Sequence, residues 1–167
     1  MVAIRPFEAK DAPRCTEINL AAFKSFLAEK IGADHEFFKI HFTPELMLKS
    51  AASKDDLSER ATFVAEEDGK IVGLVTVSAS KLGLGSFESV AVAPDCFSKG
   101  VGTLLMRTAE TFWAERQQRK IATCVSAHNK KALMYYLKND FIPEGFQRDH
   151  FLPGVDEIIL GRFLTPK

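Results

Sequence analysis

Residues 92–102 read Val-Ala-Pro-Asp-Cys-Phe-Ser-Lys-Gly-Val-Gly, and this stretch joins an apolar strand to a long amphipathic helix. Gly100 and Gly102 place backbone freedom at the start of that helix, where free N–H groups and the helix dipole favour an anion. Glycines at such a turn can also serve only to let the chain pass tightly from strand to helix. The stretch alone leaves both interpretations open.

Two nucleotide-binding loops do not fit this stretch. The NTPase phosphate loop requires Lys and then Ser or Thr after its second glycine, whereas Gly102 is followed by Thr103. The dinucleotide fingerprint requires a third glycine or alanine where Leu105 stands. What fits is a loop of free N–H groups from about Ser98 to Thr103 at the positive end of a helix, an arrangement that suits a pyrophosphate.

The composition predicts a single globular domain over residues 1–167. The chain has 167 residues, of which 46% are hydrophobic and 26% are charged. This composition is sufficient for one hydrophobic core, and this length is too short for two domains of ordinary size. Lys+Arg and Asp+Glu number 22 each, so no basic field favours nucleic acid. Three cysteines without a CxxC pair favour reduced thiols, and no apolar run approaches the ~18 residues of a membrane span. We therefore expect a cytoplasmic protein with neither a nucleic-acid nor a membrane partner.

Hydrophobic periodicity and turn signals predict alternating strands and helices. Asp68-Gly69 joins two strands as a hairpin turn. The predicted strands are 2–5, 62–67, 70–79, 86–93, 121–126, 141–148 and 156–163, and the predicted helices are 11–32, 34–42, a segment that starts at residue 43, 100–118 and 129–138. Residues 53–60 read as a solvated loop. This order predicts the α/β (α+β) class, with a mixed sheet of about six to seven strands and helices on both faces.

A second segment also points to a ligand. Residues 129–141 read Asn-Lys-Lys-Ala-Leu-Met-Tyr-Tyr-Leu-Lys-Asn-Asp-Phe, and the helical offsets of Asn129, Ala132 and Tyr136 put all three on one face. Together with the strand and the glycine loop before it, this segment resembles the GNAT superfamily of acyl-CoA N-acyltransferases. The resemblance implies one GNAT-like N-acetyltransferase domain with a mostly antiparallel central sheet.

The resemblance implies transfer of an acetyl group from acetyl-CoA, the co-substrate, to a primary amine of a small molecule or peptide, directly within a ternary complex. Backbone amides would hold the pyrophosphate, and the pantetheine arm would lie along the strand that precedes the loop. The implied coenzyme-binding residues are Val90, Ala91, Val92, Ser98, Lys99, Gly100, Val101, Gly102, Thr103, Asn129, Lys131 and Tyr136. The alternative is a non-catalytic acyl-CoA-binding module that has kept the fold.

The sequence departs from the family pattern at two positions. Phe97 stands where the family usually has Arg or Gln, so the backbone amides must provide most of the anion binding. Asp140 stands where the family often has Gly, and the turn there requires a left-handed backbone, which Asp tolerates better than most residues.

Tyr136 is the predicted general acid and Glu88 the predicted general base. A phenol, with a pKa of about 10, is close in acidity to the leaving alkyl thiol. Tyr136 can instead be a core aromatic, and Glu88 a surface glutamate, because strand alternation does not say which face it occupies. Tyr135 lies about 100° away on the helix and is predicted to face the core.

Further expectations concern the acceptor, metals and assembly. In the resembled family the first helices and the last hairpin wall the acceptor site, so Phe37, Phe38 and Phe42 either line an apolar pocket or belong to the core. The four histidines share no metal-ligand spacing, and we expect no metal. Family members are often dimers through their last strands, where residues 158–160 either contribute to the contact or fill an internal strand.

Overall fold

A computed structural model describes residues 1–97 and 99–164. Its strands are β1 (Val2–Pro6), β2 (Ser53–Lys54), β3 (Ser58–Glu67), β4 (Lys70–Ser80), β5 (Leu84–Val92), β6 (Lys120–Ser126), β7 (Ile142–Leu152) and β8 (Val155–Phe163). Its α-helices are α1 (Ala12–Ile31), α2 (Glu36–His41), α3 (Pro44–Ser50), α4 (Val101–Glu115) and α5 (Lys130–Lys138).

The strands form one sheet in the order β1-β3-β4-β5-β6-β8-β7, with β2 paired to β3. All neighbours are antiparallel except β5 and β6. This arrangement confirms the predicted mixed, mostly antiparallel sheet. The expectation of a solvated loop over residues 53–60 was wrong at its ends, because β2 pairs with the start of β3. Asp55 closes the turn between them by accepting hydrogen bonds from the amides of Leu57 and Ser58.

Helices cover both faces of the sheet, as predicted. On one face, Trp113 of α4 meets Phe87 of β5 edge-on, with the ring centroids 4.8 Å apart. On the other face, the Ser89 hydroxyl donates a hydrogen bond to the side-chain oxygen of Asn19 in α1. The core therefore has two layers. Its fully buried side chains include Trp113, Phe141, Ile18, Leu74, Leu105, Met106, Ile121 and Leu160.

Strand β5 is irregular at two points. Thr76 of β4 pairs with Ser89, and the next residue, Val77, pairs with Phe87, so Glu88 is an extra residue in a β-bulge. On its other side, β5 pairs with β6 only over residues 84–86. Beyond this short parallel ladder the two strands diverge and open a gap in the middle of the sheet.

The carboxyl-terminal hairpin ends the sheet. Strand β8 lies between β6 and β7, and Leu160 is fully buried, so this part of residues 158–160 fills an internal strand. Asp140, before β7, has a φ of 63°, which confirms the left-handed backbone expected there.

Candidate active site

A cavity of about 760 Å³ lies where β5 and β6 diverge. Strand β5, helix α1, the start of α4 and helix α5 each contribute to its lining. The lining residues are Ala22, Ser25, Val90, Ala91, Val92, Phe97, Gly100, Val101, Gly102, Thr103, Asn129, Lys130, Lys131, Ala132, Met134, Tyr135 and Lys138. Two motifs that are far apart in the sequence, the glycine loop and the segment that starts at Asn129, thus meet around one space.

The edge of β5 that faces the gap offers backbone groups to a ligand. Residues 90–92 pair with β4 on one side only, because the pairing with β6 ends at Ser86. An extended molecule laid into the gap can hydrogen-bond with this edge as an added strand would. The predicted residues Val90, Ala91 and Val92 all line the cavity.

The amino terminus of α4 opens into the same cavity. Gly100 precedes the helix with a φ of 81°, a left-handed conformation that favours glycine, and its carbonyl oxygen accepts the first helical hydrogen bond, from Leu104. The N–H groups of the first turn, at residues 101–103, have no carbonyl before them within the helix. They and the helix dipole favour an anion at this point.

The residues of the glycine loop divide as follows. Gly100, Val101, Gly102 and Thr103 line the cavity as predicted. Lys99 is exposed and does not belong to the lining, so its predicted contact with the coenzyme is not supported by this geometry. Ser98, also predicted, lies outside the described residues.

Phe97 and Lys131 stand together at the mouth of the cavity. The Phe97 side chain is 47% exposed, and the Lys131 ammonium lies 5.3 Å from the centre of its ring. Lys131, Lys130 and Lys138 all line the cavity, so a local positive charge is present in a chain whose net charge is zero. Asn129, also predicted, caps α5 by accepting a hydrogen bond from the Ala132 amide.

The structure reverses the expected burial of the two neighbouring tyrosines: Tyr135 is the partly exposed one and Tyr136 the buried one. Tyr135 lines the cavity, and its hydroxyl donates a hydrogen bond to the carbonyl oxygen of Gly102. Tyr136 is only 5% exposed and packs against Phe87 and Phe141, outside the cavity lining. Tyr135 also packs against the edge of the core, but the prediction that it is the better core residue of the pair was wrong. Helix α5 is rotated so that the more deeply buried Tyr136 side chain points between the helix and the sheet.

Burial controls the ionisation of both phenols. It raises the pKa of Tyr136 to about 12, and a hydrogen bond with Thr123 acts in the opposite direction. Burial also raises the pKa of Tyr135, and the neighbouring Tyr136 adds to this effect. Both phenols are consequently protonated at neutral pH.

Glu88 lies beside the gap on the α1 face of the sheet. Its carboxylate accepts a hydrogen bond from the Ser78 hydroxyl at 2.8 Å and is 3.5 Å from the Arg60 guanidinium. Glu88 is exposed and does not line the large cavity. These contacts orient the carboxylate, and the β-bulge at Glu88 explains why simple alternation along β5 does not predict its face.

The structure adds a second carboxylate that sequence reasoning missed. Glu157 of β8 is 6% exposed and sits opposite Ser126 in the register of β6 and β8. Burial, with a smaller effect of Asp156, raises its pKa to about 7. Burial raises the pKa of the Cys124 thiol, and the charges of Glu157 and Glu88 raise it further. The sequence signal that could have identified this carboxylate is a glutamate in β8 next to the apolar residues 158–160.

A smaller cavity, of about 260 Å³, lies on the other side of α1. Ser89 of β5 lines it together with residues of α1, α2, α3 and the segment between α2 and α3. Phe37 and Phe42 line this cavity, whereas Phe38 is buried in the small core formed with Leu27 and Val155. Of the two interpretations, the apolar pocket therefore applies to Phe37 and Phe42, and the core applies to Phe38.

Within residues 1–97 and 99–164, no helix has both the length and the apolar character needed to cross a membrane. Nor do three or more His, Cys, Asp or Glu side chains of this described part lie together as a candidate metal site.

Known proteins resemble this chain in sequence and in fold. A protein of Methanocaldococcus jannaschii named as an uncharacterized N-acetyltransferase is 25% identical over 163 residues, 94% of this chain and 88% of the relative. The S-(2-succino)cysteine N-acetyltransferase of Bacillus subtilis is 30% identical over 107 residues, 60% of this chain and 59% of the relative. The structure of PaiA N-acetyltransferase from Thermoplasma acidophilum in complex with coenzyme A shares the fold, with a TM-score of 0.82 at 18% identity over 98% of this chain and 99% of that chain.

The sequence profile of the acetyltransferase (GNAT) family matches residues 27–141, a range that holds both motifs and the whole lining of the large cavity except Ala22 and Ser25. The chain therefore belongs to the GNAT family of acetyltransferases, which use acetyl-CoA, and is an acyltransferase.

Proposed function

We propose that this protein transfers the acetyl group of acetyl-CoA to a primary amine of a small molecule or peptide, directly within a ternary complex. One observation carries the proposal: the unpaired edge of β5 at residues 90–92 leads to the open amino terminus of α4 within a single cavity. The first feature suits an extended amide-containing arm, and the second suits a pyrophosphate.

The described residues fit the coenzyme. The amides of residues 101–103 hold the pyrophosphate, and the backbone of residues 90–92 holds the pantetheine arm. Lys131 and its two lysine neighbours at the cavity place positive charge near the phosphates. When bound, acetyl-CoA supplies the acetyl thioester on which the reaction depends.

Two proton transfers remain for side chains of the chain. Tyr136 is protonated at neutral pH and is buried between α5 and the sheet, and we propose it as the acid that protonates the departing thiolate. The acceptor ammonium must lose a proton, and two carboxylates beside the gap are available. Glu88 is oriented by Arg60 and Ser78, whereas Glu157 has a pKa near the pH at which the reaction would run.

The pH dependence of kcat/KM in two variants distinguishes the two carboxylates. If Glu157 takes the proton, Glu157→Gln removes the acid limb of kcat/KM near pH 7 and Glu88→Gln leaves that limb in place. If Glu88 takes it, Glu88→Gln lowers kcat/KM across the pH range and Glu157→Gln leaves kcat/KM unchanged. Unchanged kcat/KM in both variants would exclude both carboxylates as the base.

The same proposal covers location and assembly. We propose a cytoplasmic protein, because all three cysteines are free thiols.

We also propose a homodimer that forms through β7, the last strand of the described sheet, on which Ile142 and Phe146 are more than half exposed. Sedimentation of the wild type and of Phe146→Lys tests the dimer: the variant should be monomeric.

A coupled assay tests the enzymatic proposal. Thiol release from acetyl-CoA is measured over a panel of primary amines, and the melting temperature is measured with and without coenzyme A. We expect an amine-dependent rate and a raised Tm. A raised Tm with no amine-dependent thiol release would favour a non-catalytic acyl-CoA-binding module, and the absence of any shift would contradict the proposed coenzyme site.

A further inference from the structure

The 260 Å³ cavity has apolar walls and lies beside the coenzyme cavity. Its apolar lining comes from α1, α2 and α3 and the segment between α2 and α3, and consists of Phe23, Phe37, Phe42, Leu46 and Met47. Pockets for whole small molecules are commonly about 300 to 1,000 Å³. A cavity of this size therefore holds one ring-sized part of a ligand while the rest lies outside.

Strand β5 and helix α1 each contribute residues to both cavities. On β5, Ser89 lines the small cavity and Val90 lines the large one. On α1, Asn19 and Phe23 line the small cavity, whereas Ala22 lines the large one. An amine that reaches the end of β5 nearest the bulge can therefore place its substituent in the small cavity.

The charge of the small cavity restricts what it accepts. None of the described residues that line it carries a carboxylate, an ammonium or a guanidinium group. His41, at its rim, is exposed and stacks near Phe37 with the ring centres 4.7 Å apart. A charged substituent would lose its water here without gaining a partner of opposite charge, which disfavours polyamines and amino dicarboxylates.

A buried hydroxyl indicates that the cavity receives a ligand. Thr16 lines it and is 8% exposed, and its Oγ1 has no hydrogen-bond partner among the described residues. The neighbouring Asn19 amide has only the weak acceptor Met47 Sδ, 4.0 Å away. Buried polar groups are nearly always satisfied, so the Thr16 hydroxyl is available to a polar atom on a bound molecule.

We infer that the small cavity selects the acceptor: between α1 and α3 it binds the uncharged aromatic substituent, with a hydrogen-bonding atom, of a primary amine. This inference rests on the proposed acetyl transfer. The new amide bond forms between the amine nitrogen and the acetyl carbon, and the thioester C–S bond breaks. Of the two protons that the acceptor ammonium loses, one goes to the base and the solvent, and the departing thiolate gains the equivalent of the other from the acid.

Amine selectivity and two matched variants test the inference. The wild type is assayed for thiol release with tyramine, phenethylamine, butylamine, spermidine and glutamate. We expect kcat/KM for tyramine and phenethylamine to exceed that for spermidine and glutamate at least about tenfold. Leu46→Trp fills the cavity, and Leu48→Trp changes an exposed residue of α3 that does not line it. Leu46→Trp should reduce the aromatic rates at least about tenfold, and Leu48→Trp should leave both the aromatic and the butylamine rates unchanged.

A binding measurement separates this inference from the proposed function. The Tm of the coenzyme A-loaded protein is measured with tyramine and with spermidine, for the wild type and both tryptophan variants. A tyramine-dependent rise that Leu46→Trp abolishes supports the inference even if no amine is acetylated, and then only the proposed acetyl transfer fails. A preference for spermidine or glutamate, equal behaviour of the two variants, or neither binding nor turnover of tyramine would overturn the inference.

Discussion

The phenol of Tyr135 donates a hydrogen bond to the backbone carbonyl oxygen of Gly102 across 2.8 Å. The two residues are 33 positions apart and belong to the two motifs around the coenzyme cavity. A methyl group on Gly102 would lie 3.3 Å from the edge of the Tyr135 ring, so the absence of a side chain there allows this close approach. Tyr135 therefore fixes α5 against the first turn of α4.

Removing the Tyr135 hydroxyl should loosen the coenzyme site without stopping the chemistry. A hydrogen bond of this kind contributes about 1 kcal/mol, so we expect Tyr135→Phe to raise KM for acetyl-CoA about fivefold. The value of kcat should stay within about twofold of wild type. Steady-state kinetics with varied acetyl-CoA measures both. A large fall in kcat with unchanged KM would instead make Tyr135 the acid.

Tyr136→Phe should have the opposite signature. The ring and its contacts with Phe87 and Phe141 are preserved, so we expect a folded protein with nearly unchanged coenzyme affinity. Loss of the acid should reduce kcat about 100-fold. Because the pKa of Tyr136 is raised to about 12, the wild-type kcat should show no alkaline fall from this group up to about pH 10. An intact rate in Tyr136→Phe would disprove the acid role.

Gly100→Glu should block the coenzyme site. A carboxylate at the start of α4 would occupy the place of the pyrophosphate and repel it, and we expect acetyl-CoA affinity to fall at least about 100-fold. The backbone strain of any side chain at φ 81° needs a control. Gly154, with φ 76° and open space around it, lies in the β7–β8 turn outside the cavity lining.

Gly154→Glu should therefore lose about as much unfolding free energy as Gly100→Glu, about 1–2 kcal/mol, but should keep its affinity for the coenzyme. Calorimetric titration with coenzyme A and thermal melts separate the two effects. Equal losses of affinity in the two variants would place the anion elsewhere.

Glu157 should make the protein less stable as the pH rises. Its folded-state pKa is about 7 against an ordinary value of 4.5, so between these values the native state keeps a proton that the unfolded chain releases. The stabilisation is complete below about pH 4.5 and disappears as the pH rises through 7. Relative to Glu157→Gln, the wild type should lose about 2–3 kcal/mol of unfolding free energy between pH 5 and pH 8.

Urea unfolding at a series of pH values measures this difference. Glu29→Gln, which changes an exposed carboxylate of α1, is the control and should track the wild type at every pH. A pH-independent difference between the wild type and Glu157→Gln would show that Glu157 ionises normally in the folded protein.

Local signals predicted the elements and the coenzyme cavity. The Asp68-Gly69 turn, the glycines before α4 and the capping Asn129 each act within a few residues, so their effect is readable without the rest of the chain. The same holds for the left-handed backbone at Asp140. Such features place a free helix terminus after a strand, and this is sufficient to predict the proposed pyrophosphate site.

The assignment of individual side chains required the packed structure. Helical periodicity fixes the angle between Tyr135 and Tyr136 but not the rotation of α5 against the sheet, which packing with Phe87 and Phe141 decides. Alternation along β5 is interrupted by the bulge at Glu88, and the position of Glu157 depends on the register of β6 with β8. These relationships join residues distant in sequence, because the free energy of burying side chains together depends on contacts that no single segment contains.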